Sequence, residues 1–148
     1  MNVTGKALFI TGTGTDVGKT FACGLLVRTL RRAGFDAGYY KAAISGAETD
    51  STGTIQSDAS FVAAMAGLTE NHDELVSFSY RTPVSPHLAA RIEGHPPEME
   101  TIIHDFLKAC TRHKYIVVEG SGGIACPLRV DKTSTIMLED VVKTLGLD

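Results

Sequence analysis

Short apolar runs alternate along this chain with longer stretches in which apolar residues recur at helical spacing. The first run, 7–11, ends in glycines, as a buried parallel strand does. Across 19–33 the apolar positions Ala22, Leu25, Leu26 and Leu30 recur every three to four residues. Arg28, Arg31 and Arg32 gather toward the end of that stretch and Gly34 supplies a stop, so a helix is predicted. Residues 37–41 predict a second strand, which completes a strand–loop–helix–strand unit of the βαβ type.

Residues 42–57, AAISGAETDSTGTIQS, are small and polar and predict a long loop of the kind that is functional or mobile. Ser57 is placed to cap a helix over 58–66 that stops at Gly67. Prolines punctuate 81–97 and predict irregular chain, apart from a turn or two of helix after Pro86. An amphipathic helix is predicted over 98–113 from Ile102, Ile103, Phe106, Leu107 and Cys110, followed by the strand YIVVE at 115–119. A glycine loop at 120–123, an irregular stretch and a helix over 138–145 complete the reading. Alternation of strand and helix predicts a three-layer α/β fold with a parallel sheet between flanking helices, all within one domain over 1–148. Three strands make a thin sheet and the last helix leads to no further strand. The expectation is therefore the front part of a larger domain, incomplete at its C-terminus and lacking its C-terminal strands.

Composition narrows the class. Of 148 residues, 43% are hydrophobic and 21% charged, as in ordinary globular domains. The net charge of -3 comes without a block of like charges, so neither a nucleic acid nor a membrane surface is the expected partner. Cys23, Cys110 and Cys126 are odd in number and form no C-x-x-C pair, which argues for reduced thiols in a cytoplasmic protein rather than disulfides or zinc.

The candidate chemistry lies in LFITGTGTDVGKT, residues 8–20. Gly18-Lys19-Thr20 falls between a glycine loop and a helix start, directly after a strand. Unpaired amides at such a helix start attract phosphate, the lysine reaches the β/γ oxygens, and the threonine hydroxyl binds Mg²⁺. The spacing is one residue longer than G-x-x-x-x-G-K-[ST], because Thr13 stands where the first glycine belongs and Gly12 precedes it. Mg²⁺ needs further hard oxygen ligands. Glu119 closes a buried strand at the sheet edge where ligands bind, and an unpaired carboxylate there is costly. Asp58 opens a helix; taken alone, it reads first as an acid favoured by the helix dipole. Lys41 ends the second strand at the same edge, either as a solvated lysine or as a neutraliser of a transferring phosphoryl group.

Taken together, TGTGTDVGKT, GYYKAAISG, SDA, VSPH and VEGSGG resemble the dethiobiotin synthetase family in order and spacing, across nearly the whole chain. That family's own phosphate loop is the lengthened form G-x-x-x-x-x-G-K-T, which fits residues 12–20. The resemblance implies a P-loop, ATP- and Mg²⁺-dependent ligase of biotin synthesis acting as a homodimer on a small-molecule substrate, 7,8-diaminopelargonic acid, with CO₂. It implies that Lys19 and Lys41 serve catalysis. It places Thr20, Asp58 and Glu119 on Mg²⁺, and Thr15 and Ser45 on the substrate. Gly12, Thr13, Gly14, Asp16, Val17, Gly18, Lys19, Thr20 and Phe21, with Asp58, Glu119, Gly120, Ser121 and Gly122, would surround the nucleotide. Ala42 stands where family members often have proline, and Gly14 where an acid is common; neither departure removes an expected ligand. Two other readings stay within P-loop chemistry: an inactive or regulatory nucleotide-binding domain, and the synthetase half of a cobyrinic-acid amidotransferase. A switch ATPase of the partitioning type carries an extra loop lysine where this chain has Gly14.

Overall fold

The computed structural model describes residues 6–147. The expected first unit is present as β1 (Lys6–Gly12), α1 (Lys19–Arg32) and β2 (Ala37–Ile44). Strand β2 runs three residues beyond the predicted end because Ala42, Ala43 and Ile44 are buried like the rest of it. The predicted loop 42–57 is therefore shorter, and it holds a small hairpin, β3 (Glu48–Thr49) with β4 (Ile55–Gln56). The Asp50 carboxylate closes that hairpin by accepting from the amides of Thr52 and Thr54.

Helix α2 (Asp58–Ala66) starts and stops where the sequence signals place it. The Ser57 hydroxyl accepts from the Ser60 amide, and Gly67 turns left-handed at φ 68° to end it. The sequence reading passed over α3 (His72–Leu75) and β5 (Val76–Ser79), whose four-residue lengths leave too little periodicity to detect. Pro86 opens the two-turn α4 (Pro86–Glu93), then come α5 (Met99–Arg112) and β6 (Tyr115–Gly123). Residues 120–123 are thus strand, not loop. A Cβ on Gly120 would stand 2.9 Å from Phe9 and 3.1 Å from Leu138, so glycine here allows close packing instead of breaking the strand. A second hairpin, β7 (Pro127–Val130) with β8 (Thr135–Met137), fills the stretch expected to be irregular, and α6 (Leu138–Leu145) follows.

The main sheet has the order β1-β6-β2-β5 with every pairing parallel, one strand more than the sequence reading counted. One face packs Tyr39 and Val117 against Cys23 and Val27 of α1 and Val62 of α2. The other packs Tyr40, Ile116 and Val118 against Ile102 and Phe106 of α5 and Val141 of α6. This is the three-layer arrangement expected. The inward side of α1 differs in detail: Cys23, Gly24 and Val27 are buried while Leu25 is exposed. Close approach of α2 rotates the helix, since a Cβ on Gly24 would lie 2.8 Å from the Met65 sulfur. The three cysteines are free, and no helix among the described residues is long and apolar enough to cross a membrane.

Register decides what the sheet presents. Ile10 of β1 and Lys41 of β2 are the two Cα partners of Glu119 in the central strand β6. The carboxyl ends of three strands therefore finish together, with Lys41 and Glu119 side by side. At the other end of the sheet His113 fastens the strand entries, its Nδ1 on Asp36 and its Nε2 on Glu70.

The imidazole lies against Gly38, where an added Cβ would clash with its Cδ2. Gly38→Ala is expected to cost about 1–3 kcal/mol through overpacking and loss of the His113 fastening. Urea denaturation measures it, and a cost below about 0.5 kcal/mol would contradict this packing.

Candidate active site

The loop between β1 and α1 folds back over the helix N-terminus. Gly12 lies so close to it that a Cβ would strike the Val17 side chain at 2.7 Å, while the Lys19 stem stands 3.4 Å away. Gly12, and not Thr13, thus does the work of the motif's first glycine, and the loop holds one more residue than usual. Gly18 enters the helix at φ 97° and Asp16 is left-handed at φ 55°, the one non-glycine with positive φ among the described residues. Such conformations collect where a loop must aim its amides at a ligand. The Lys19 ammonium is buried and donates to the Gly14 carbonyl across the loop mouth.

Beneath that loop three side chains converge on one carboxylate, and a fourth joins through Lys41. Glu119 Oε1 accepts from the Thr20 hydroxyl at 2.8 Å and from the Lys41 ammonium at 2.7 Å. Lys41 also meets Asp58 Oδ2 at 2.6 Å. On the far side Oε2 accepts from the Tyr39 hydroxyl at 2.8 Å. Glu119 is 2% exposed and Lys41 4%, so both charges are out of water and each relies on the other. Burial alone would pull the Lys41 pKa down; Glu119 and Asp58 together outweigh burial and raise it, so the ammonium stays charged at neutral pH. Burial, reinforced by the neighbouring carboxylate, pushes the Tyr39 phenol well up and the Cys23 thiol up to about 12, which leaves both protonated beside Glu119.

Thr20, Lys41, Asp58 and Glu119 floor a cleft of about 1000 Å³. Of the residues expected from the sequence, Thr15, Asp16, Gly18, Lys19, Thr20, Phe21, Lys41, Ser45, Asp58, Glu119, Ser121 and Gly122 line it. Gly12, Thr13, Gly14, Val17 and Gly120 do not: the first four shape the loop, and Gly120 packs beneath the sheet edge. Sequence reasoning missed the wall opposite, made by Phe61 and by Pro83, Val84, Ser85 and Pro86, and it missed Cys126. It also missed Tyr39, although a strand places Tyr39 on the same face as Lys41 two residues on.

The donor set suits a hard cation. Thr20, Glu119 and Asp58 present oxygens around one point, and there the Lys41 ammonium already bridges the two acids as a positive charge. Among the described residues no group of three His, Cys, Asp or Glu side chains gathers for a metal; this site offers two carboxylates and a hydroxyl. That count suits Mg²⁺, which keeps several waters and takes only one or two protein carboxylates with substrate phosphates.

Comparison with known proteins agrees with the motifs. Residues 6–148 match the family described as an AAA domain. The chain is 46% identical over 142 residues to the ATP-dependent dethiobiotin synthetase BioD of Brachyspira hyodysenteriae, covering 96% of this chain and 62% of that protein. It is 46% identical over 143 residues to the protein of the same name from Clostridium novyi, covering 97% and 60%. With the one from Clostridium perfringens it shares 42% over 142 residues, covering 96% and 62%. The chain thus spans about three-fifths of the length of the curated relatives it matches. The resemblance read from five motifs is borne out over nearly the whole chain.

The buried pair makes a stability prediction. Glu119→Leu strands the Lys41 ammonium with only the half-exposed Asp58, and is expected to cost about 3–5 kcal/mol. Adding Lys41→Met removes the stranded charge and is expected to recover most of that loss. A double variant in urea that is no more stable than Glu119→Leu would contradict the pairing.

Proposed function

Since the chain belongs to the AAA-domain family, and its relatives there are the ATP-dependent dethiobiotin synthetases, we propose that its full-length protein is an ATP- and Mg²⁺-dependent dethiobiotin synthetase. The observation that carries this reading is the convergence of Lys19, Thr20, Lys41, Asp58 and Glu119 in one cleft at the carboxyl edge of a parallel sheet. The substrate would be 7,8-diaminopelargonic acid with CO₂. One amine adds to CO₂ as a carbamate, whose oxygen then attacks the γ-phosphorus of ATP. ADP leaves, and a carbamic–phosphoric anhydride forms. The second amine attacks the anhydride carbonyl, phosphate departs, and the cyclic urea closes.

Little covalent help is needed from the protein in such a transfer; position and charge dominate. The amides of the loop and the α1 N-terminus would hold the phosphates, with Lys19 exchanging the Gly14 carbonyl for a phosphate oxygen. Thr20, Asp58 and Glu119 would hold Mg²⁺, which when bound offsets charge on the phosphates. Lys41, released from one of its carboxylates, would meet the charge passing to the carbamate. Thr15 and Ser45, both on the cleft wall, would hydrogen-bond the substrate, and Ser121 and Gly122 would border the nucleotide. A homodimer and a cytoplasmic location belong to the same proposal; exposed Phe21 and Phe61 at the cleft support an apolar neighbour there.

Full-length protein given the diamine, bicarbonate, ATP and Mg²⁺ is expected to release dethiobiotin, ADP and phosphate. Nucleotide binding without product would contradict the ligase reading. Lys41→Ala is expected to lower kcat by about 10²–10³ with little change in ATP affinity, as for loss of one donor to developing charge. Unchanged kcat would remove Lys41 from the chemistry.

A further inference from the structure

The two oxygens of Glu119 face different surroundings. Oε1 bonds Thr20 and Lys41, which both line the cleft, whereas Oε2 bonds Tyr39, which is 1% exposed and lies outside the cleft wall. The geometry points to Tyr39 as a positioning residue that holds Glu119 to one-oxygen ligation and so makes the cation site prefer Mg²⁺ over Ca²⁺. This rests on the proposed function, in which Glu119 is a metal ligand. It adds a residue that neither the motifs nor the relatives' names assign.

The chemistry follows from the ions. Mg²⁺ is small, requires near-octahedral geometry, and is served by carboxylates that give one oxygen each. Ca²⁺ is larger, accepts more oxygens, and gains from a carboxylate that swings round to offer both. With Oε2 engaged beneath the sheet, Glu119 has one oxygen to offer. Several features keep Tyr39 in place. It stands on β2 two residues before Lys41, its ring is packed in the α1–α2 core with Cys23 and Val62, and its hydroxyl donates to Oε2 at 2.8 Å. Hydrogen bonds to a ligating carboxylate of this sort commonly govern metal affinity by about 10–100-fold.

Tyr39→Phe removes the hydroxyl and keeps the ring in the core. The site is read by Mn²⁺ bound in the presence of ADP, followed by electron paramagnetic resonance and displaced by Mg²⁺ or by Ca²⁺. In Tyr39→Phe the Mg²⁺ needed for half-displacement is expected to rise about tenfold, while the Ca²⁺ needed stays level or falls. Tyr40→Phe is the control: its hydroxyl is also buried, but bonds Ser77 and the Ile102 carbonyl on the other face of the sheet. It is expected to leave the Mg²⁺/Ca²⁺ ratio as in the wild type. An unchanged ratio in Tyr39→Phe, or equal weakening toward both ions, would overturn the inference and leave the proposed function standing. Wild type that binds no Mn²⁺ with ADP would overturn both. A second measurement needs no Tyr39 variant: infrared difference spectra of the wild type with Ca²⁺ are expected to lack a two-oxygen carboxylate signature. Such a signature, present in the wild type and missing in Glu119→Gln, would also overturn it.

Discussion

Two opposite charges on neighbouring strands, taken out of water together, set the terms for the rest of this molecule. Glu119 and Lys41 are register partners in β6 and β2, and their side chains meet at 2.7 Å with almost no solvent contact. Neither charge is tolerable alone at that depth. Their pairing therefore demands that the strands stay in this register, since a slip of one residue would send each side chain to the opposite face. The parallel sheet is both the scaffold of the site and, through this pair, dependent on it. Thr20, Asp58 and Tyr39 then occupy the remaining bonding directions of the pair from α1, α2 and β2.

The loop above the pair is arranged for an anion and the floor below it for a cation. Gly12 lets the loop lie against its own strand, Gly18 and Asp16 turn the backbone left-handed, and the helix N-terminus is left open to the cleft. Three acceptors, Glu119, Asp58 and the Gly14 carbonyl, are held by two lysines, so phosphate oxygens would take up the lysines as a cation takes up the carboxylates. A bound nucleotide would thus replace existing ionic bonds instead of entering an unpaired field.

Much of this was legible in the sequence where a physical requirement narrows the residue choice. The Gly-Lys-Thr at a helix start and the serine cap before Asp58 each read correctly because chain geometry leaves few alternatives, whereas Glu119, expected to close its strand, lies within β6. The inner face of α1 misread because Gly24 carries no hydrophobic signal, yet its lack of a side chain lets α2 approach and turns Leu25 outward. Residues 120–123 misread for a related reason: glycine marks turns and close packing alike, and only the neighbours Phe9 and Leu138 tell them apart. The strand β5 depends on tertiary contacts that no local pattern announces, and the motif VSPH marks part of the wall from Pro83 to Pro86 without showing that it faces the cleft. Nothing in the sequence singles out Tyr39; its hydroxyl bond to Glu119 appears only once β2 and β6 are aligned.

The central claim is that Thr20, Asp58 and Glu119 form a cation site coupled to a phosphate site in one cleft. Calorimetric titration of ADP with and without Mg²⁺ tests it most directly, because coupling between two ligands must show in the affinity of either. The account predicts that Mg²⁺ tightens ADP binding to the wild type and that this enhancement disappears in the Asp58→Asn, Glu119→Gln double variant, while metal-free ADP binding survives. An enhancement of undiminished size in the double variant would contradict it.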